Sequence, residues 1–169
     1  MRQWTRQIDL RRCARGFIMN PGTATNTTLA LTNNSVSAEL LLIWQVEPGN
    51  VFGSTLQTSY QQTLSGLTPG GFIEPLVPSD APPPGVLSSG DEPIQFQYSW
   101  FQVASALIWP ATFPFAVLNP GWSLVFQQAS TVPTIGADVN IFWEAMKPEI
   151  FENIYTGPTL REIYRSRER

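Results

Sequence analysis

Between Asn20 and Met146 the chain is interrupted so often by proline, glycine and asparagine that it has no room for a long helix. Proline lacks the amide proton a helix interior needs, and glycine and asparagine favour turns. Fifteen prolines and twelve glycines are spread along the 169 residues. The segments between them alternate in polarity, the period of a strand with one wet face. Thr27, Leu29 and Leu31 share one face of Thr25–Thr32, with Asn26, Thr28 and Ala30 on the other. In Ile94–Trp100, Ile94, Phe96, Tyr98 and Trp100 alternate with Gln95, Gln97 and Ser99. Further strands are expected near 105–109, 113–118, 122–129 and 138–145.

Two segments are less regular. In residues 54–66, Leu56, Tyr60 and Leu64 recur every four residues, which fits a short helix and a strand equally. Residues 68–93 hold seven prolines and read as a long surface loop with SDAPPPG at its tip. The strand AELLLIWQV, residues 38–46, is apolar on both faces and so is expected to be buried on both. Leu40, Leu42 and Trp44 face one way. Leu41 and Ile43 face the other, where they are expected to lie under an arm or a neighbouring subunit.

A weak repeat runs through the chain. NPGTATNTTLALTNNSVSAELLLIW (residues 20–44) and NPGWSLVFQQASTVPTIGADVNIFW (residues 119–143) agree at seven of 25 positions. Each reads as turn, strand, loop, long strand. The expected fold is therefore all-β: a β-sandwich or jelly-roll-like single domain over residues 20–146. An extended N-terminal arm (1–19) precedes it, and a C-terminal docking tail with a short helix (147–169) follows.

The charge is segregated. Residues 1–15 carry Arg2, Arg6, Arg11, Arg12 and Arg15 against Asp9, a net of +4. Residues 16–146 carry eight carboxylates and no Lys or Arg, a net of −8. Residues 147–169 carry +1, and the whole chain −3. A cationic arm and an anionic body are complementary, within one chain or between copies.

These residue types exclude much chemistry. With no histidine anywhere, the usual general base, zinc ligand and Ser-His-Asp arrangement are missing. The body has no cation to clamp a phosphate and no lysine for a Schiff base. No phosphate loop or dinucleotide fingerprint is present. The expectation is no enzyme, no cofactor and no metal. A body of −8 repels phosphates, so nucleic acid is not an expected partner. The sequence has no run of about 18 apolar residues and no apolar leader, so no membrane span or signal peptide is expected. The lone Cys13 is read as a small side chain in the arm. The sequons Asn26-Thr27-Thr28 and Asn33-Asn34-Ser35 are read as ordinary polar surface.

The two ends look built for contact. Trp4, Ile8 and Leu10 give the arm apolar anchors among its arginines. In the tail, Ile150, Phe151, Ile154 and Tyr155 recur at helical spacing. Beyond Gly157-Pro158, Thr159 and Glu162 form a capping box opening a helix whose apolar positions are Leu160, Ile163 and Tyr164. The expected partner-binding set is Arg2, Trp4, Arg6, Ile8, Leu10, Arg11, Arg12, Arg15, Leu41, Ile43, Phe151, Tyr155, Leu160, Ile163 and Tyr164.

Residues 118–146, LNPGWSLVFQQAS…ADVNIFWEAM, resemble the closing hairpin of small virion structural proteins of tailed phages. There a Pro-Gly-Trp turn opens a strand, and a final strand ends in an aromatic residue and Glu. The resemblance covers about a sixth of the chain. It implies a β-sandwich or jelly roll on the virion, often trimeric, acting as a capsid decoration (cement) protein or tail component. The expected partners are further copies, a trimer favoured, and other capsid or tail proteins. The competing expectation is a carbohydrate- or receptor-binding module of a phage tail, using Trp100, Trp109 or Trp122 as platforms.

Overall fold

The computed structural model describes residues 8–21, 26–49, 56–62, 64–78, 83–91, 98–103, 107–108, 114–129 and 136–156. They form two antiparallel sheets. The first contains β1 (Cys13–Asn20), β3 (Leu40–Pro48), β6 (Phe72–Pro75), β9 (Leu107–Ile108), β10 (Ala116–Leu118) and β12 (Ala137–Met146). The second contains β2 (Asn26–Thr32), β4 (Leu56–Gln62), β5 (Thr68–Pro69), β7 (Val86–Gly90), β8 (Tyr98–Val103) and β11 (Trp122–Ala129). The first runs β10-β3-β12-β1-β6, with β9 also on β3, and the second runs β5-β7-β2-β11-β4-β8. A 3-10 turn (Leu10–Arg12) precedes β1. Helix α1 (Pro148–Phe151) and a π turn (Glu152–Thr156) follow β12.

The pairings are nested. β1 pairs with β12, β2 with β11, β3 with β10, and β4 with β8. The strands nearest the two ends of the chain meet, and each inner pair folds inside the last.

One core is shared by both sheets. Ala14 and Ile18 of β1, Leu41, Ile43 and Val46 of β3, and Val139, Ile141 and Trp143 of β12 meet Leu29 and Leu31 of β2 and Leu124 and Phe126 of β11. Leu41 and Ile43 are therefore core residues, fully buried between the sheets, and not residues beneath an arm. A β-bulge switches the faces of β3 after Trp44, so that Val46 rather than Gln45 joins the core. Phe142 pairs with Gln45 but Trp143 pairs with Ile43, so Trp44 is the extra residue. Trp44 joins Leu40 and Leu42 in a second cluster on the face turned away from the core.

The repeat survives in element order. Each unit supplies a strand to the second sheet, then one to the first, and equivalent strands pair with each other. The matched tryptophans are not equivalent, because Trp143 points into the shared core and Trp44 away from it.

Two expectations are corrected and one left open is decided. The arm ends sooner than residue 19, since Cys13–Asn20 is a strand held between β12 and β6. Ala14 and Gly16 are small enough to lie beneath the second sheet, while Arg15 and Met19 point outward. Residues 56–62 are a strand, β4, because β11 and β8 pair with it on both sides. The proline-rich stretch 68–93 is not simply a loop. It adds β6 to the margin of the first sheet, and β7 and β5 to that of the second. Pro69 and Pro75 sit in marginal strands, where a missing amide proton is tolerated. Of Ile94–Trp100, residues 94–97 lie outside the described residues, and β8 continues the segment.

The proline tip is latched to the core. Trp143 Nε1 donates to the Pro84 carbonyl at 3.0 Å. Two glycines make room for this ring. A Cβ on Gly16 would lie 2.7 Å from Trp143 Cζ3, and one on Gly85 (φ +142) would lie 3.1 Å from Trp143 Cζ2. Asn33 braces the turn that follows β2. It is fully buried, and its Nδ2 donates to the carbonyls of Glu39 at 2.8 Å and Leu118 at 2.9 Å. It is thus a bracket between β3 and β10, not the surface residue its sequon suggests.

Tyr60 ties the sheets at their other margin. It packs on the shared core, and its hydroxyl accepts from the Val117 amide at 3.3 Å. Burial raises its phenol above the usual range, against the lowering effect of that hydrogen bond. The folded state therefore keeps this proton to higher pH than the unfolded chain does. Its contribution is complete below about pH 10, where an exposed tyrosine ionises, and is lost as pH climbs through the raised value. Tyr60→Phe is expected to flatten the alkaline fall in stability. Urea midpoints at pH 8 and pH 10.5 check this, and an equal fall in both proteins would count against it.

Candidate functional site

The described terminal segments, residues 8–12 and 147–156, meet on the outer face of the first sheet. β1 begins at Cys13 opposite Glu144, and β12 ends at Met146 opposite Leu40, so both ends leave the sheet beside the start of β3. Leu40, Leu42, Trp44 and Met146 form an apolar cluster there, and Ile8, Phe151 and Ile154 pack over it. The sequence supplies this cluster because Leu40, Leu42 and Trp44 alternate along β3 and share its outer face.

The N-terminal segment is shaped by Asp9. Its carboxylate caps the 3-10 turn by accepting from the Arg11 amide at 3.2 Å. It also takes Arg11 as a fork, Nε to Oδ1 at 3.0 Å and Nη2 to Oδ2 at 3.1 Å. The side-chain bond from Arg11 holds the Asp9 carboxyl below its usual range, and the same bond raises Arg11. The Cys13 thiol donates to the Asp9 carbonyl at 3.2 Å. Arg12 forms an ion pair with Glu39, just before β3.

The C-terminal segment turns at Lys147-Pro148. Proline suits the first position of α1, where its missing amide proton costs no helical bond. The amides of Ile150 and Phe151 both donate to the Lys147 carbonyl at 3.1 Å. Beneath them Glu144 is only 1% exposed and accepts from Trp44 Nε1 at 3.1 Å. A recess of about 440 Å³ opens between the ends, lined by Asp9, Arg12, Glu39, Glu144, Met146 and Lys147, among others.

Magnitudes decide what holds this seam. Burying an aliphatic side chain is worth about 1.5–3 kcal/mol. Ion pairs open to water contribute far less. Apolar contact with the cluster keeps the ends down, and the ion pairs set their direction. The arrangement offers apolar burial flanked by paired charges, the chemistry of a contact surface. Among the described residues, no three His, Cys, Asp or Glu side chains gather as metal ligands would.

The expected contact residues divide as follows. Ile8 and Phe151 are brought together on the cluster, and Arg12 flanks it. Leu10 is exposed, and Arg11 is occupied by Asp9. Arg15 stands on β1, away from the seam, facing Glu74 across the strand pair. Leu41 and Ile43 belong to the core. The backbone of Tyr155 lies in the π turn, but its side chain lies outside the described residues, as do Arg2, Trp4, Arg6, Leu160, Ile163 and Tyr164. Leu40, Leu42, Trp44, Glu39, Glu144 and Met146 were not expected in a site. Their signal was the two-faced apolar strand, read with its faces reversed.

Of the suggested sugar platforms, Trp122 is half-buried in a shallow recess with Tyr60, Val117 and Asn119, and the side chains of Trp100 and Trp109 lie outside the described residues. Compared with known protein families, with curated proteins and with solved structures, this chain has no significant match.

Proposed function

We propose that this chain is a non-enzymatic structural subunit of a virus particle. It is a jelly-roll β-sandwich that acts as a capsid decoration or cement protein and grips its neighbours through its terminal segments. Trimers are the favoured homo-oligomer, and other capsid or tail proteins are its further partners. The observation that carries this reading is the nested pairing of β1 with β12, β2 with β11, β3 with β10 and β4 with β8. Such nesting is expected of a long hairpin rolled into a jelly roll, an arrangement that recurs in capsid and lectin domains, and it supports that reading. Fold alone does not assign a role. The capsid side is favoured by the segments flanking β1 and β12, both seated on one sheet face, and by the concentration of positive charge toward the two ends of the sequence.

Two measurements test it. In a gradient-fractionated lysate of the virus-producing culture, the chain is expected in the particle band at a fixed ratio to the major shell protein. Recovery only from particle-free fractions overturns the assignment. The purified chain is expected to run as a trimer in light scattering at tens of micromolar, and to dissociate more readily when residues 1–7 are removed. That truncation spares Cys13–Arg15, which belong to β1. A monomer at every concentration and salt overturns the assembly role.

A further inference from the structure

The outer face of the first sheet is only half covered by the terminal seam. On its other half, at the β1–β6 margin, Phe17 pairs across the strands with Phe72, and Met19 lies two residues further along β1. Phe72 is 63% exposed and Met19 58%, high values for large apolar side chains side by side on a sheet. Beyond the seam, three carboxylates lie on this face: Glu74 on β6, Glu47 on β3 and Asp138 on β12. Only Arg15 offsets them among the outward residues of these strands. The surface is therefore an apolar strip in an acidic setting.

Resting on the assembly reading above, we infer that this strip is the seat of residues 1–7 of a second copy. The chemistry selects that segment. MRQWTRQ carries Arg2 and Arg6 with no carboxylate, and one large aromatic, Trp4, between them. The C-terminal residues 157–169 are a poorer match, because Glu162 and Glu168 dilute their arginines. Trp4 offers a ring to Phe17, Phe72 and the Met19 thioether, a favourable partner for aromatics. Arg2 and Arg6 offer planar forks to the carboxylates on either side.

The path of the chain selects a second copy over self-docking. Followed backward from Cys13 on β1, the chain crosses to Ile8, which packs against the cluster of Leu40, Leu42 and Trp44 of β3 and Met146 of β12. The strip lies on the opposite side of β1, toward β6. The chain thus reaches residue 8 heading away from its own strip. The strip of a neighbour presents no such reversal. A contact between two different surfaces repeats head to tail, and closes into a ring when the rotation between copies allows.

Two experiments test the inference. Phe72→Asp alters an exposed side chain, so the circular dichroism spectrum should be unchanged while self-association weakens roughly tenfold or more. In a Cys13→Ser background, Thr5→Cys and Met19→Cys together should give a disulfide linking two chains under mild oxidation, less of it at high salt. Undiminished association of Phe72→Asp overturns the inference, as does a Thr5→Cys–Met19→Cys link formed only within one chain or not at all. In those cases a wild type that still assembles leaves the assembly reading standing. A wild type that is monomeric throughout overturns both.

Discussion

Leu41→Asp is expected to leave no folded protein. Leu41 is fully buried in the core that both sheets share, among residues of β2, β11 and β12. Removing a buried leucine side chain costs about 2–5 kcal/mol by itself. An aspartate there must also lose its hydration or be held protonated, which adds several kcal/mol more. A domain has only about 5–15 kcal/mol of stability to lose. The sum reaches that range, so the variant should be insoluble or lack a cooperative unfolding transition. Leu40→Ala is the comparison. Leu40 lies one residue away on the outer cluster, under Ile8, Phe151 and Ile154. That change should loosen the terminal segments and leave the two sheets intact. Circular dichroism and thermal melts of both variants decide the matter. A Leu41→Asp protein that melts like wild type would mean that this strand presents its other face to the core.

Trp143→Ala is expected to be the most damaging change that still permits folding. Its ring fills the space left by Gly16 and Gly85, and its indole nitrogen holds the Pro84 carbonyl. Large-to-small changes at buried aromatic sites cost about 3–5 kcal/mol, because surrounding atoms collapse only partly into the gap. Here the flanking backbone belongs to a central strand and to the latched proline segment, and neither can move in without losing its own bonds. For a chain of this length the melting temperature should fall by roughly 6–20 °C. Trp143→Phe retains much of the ring volume but not the donor. It should fall less, and the difference reports the latch together with the lost indole ring. Urea unfolding followed by circular dichroism measures both, and a loss below about 1 kcal/mol for Trp143→Ala would contradict the packing described.

Where strand identity rests on nearest neighbours in the chain, it was legible. β2, β11 and β12 announce themselves by alternation, β3 by an apolar run of strand length, and all four by the turns that bound them, because side-chain direction in a strand depends only on position. β1 carries the same alternation in Ala14, Gly16 and Ile18. Its small residues are a weak apolar signal beside five arginines, and the segment reads as an arm until β12 and β6 pair with it. The prolines of residues 68–93 mark turns correctly. They do not reveal that short strands between them can pair at the sheet margins, where a missing donor is harmless.

From sequence alone came the all-β class, the turn positions, the two-faced burial of residues 40–44 and the segregation of positive charge to the ends. Each is a local or summed property. Tertiary structure alone decided three others. β4 is a strand because β11 and β8 flank it, since spacing by four fits a helix and a strand alike. The inward face of β3 is Leu41 and Ile43 because pairing with β12, shifted at the bulge beside Trp44, sets which side meets the second sheet. Residues 8–12 and 147–154 reach the outer cluster because β1 and β12 are neighbours, and β1 begins where β12 finishes, beside Leu40. All three depend on pairings between residues tens of positions apart, and no periodicity within a single segment encodes which distant strand lies beside it.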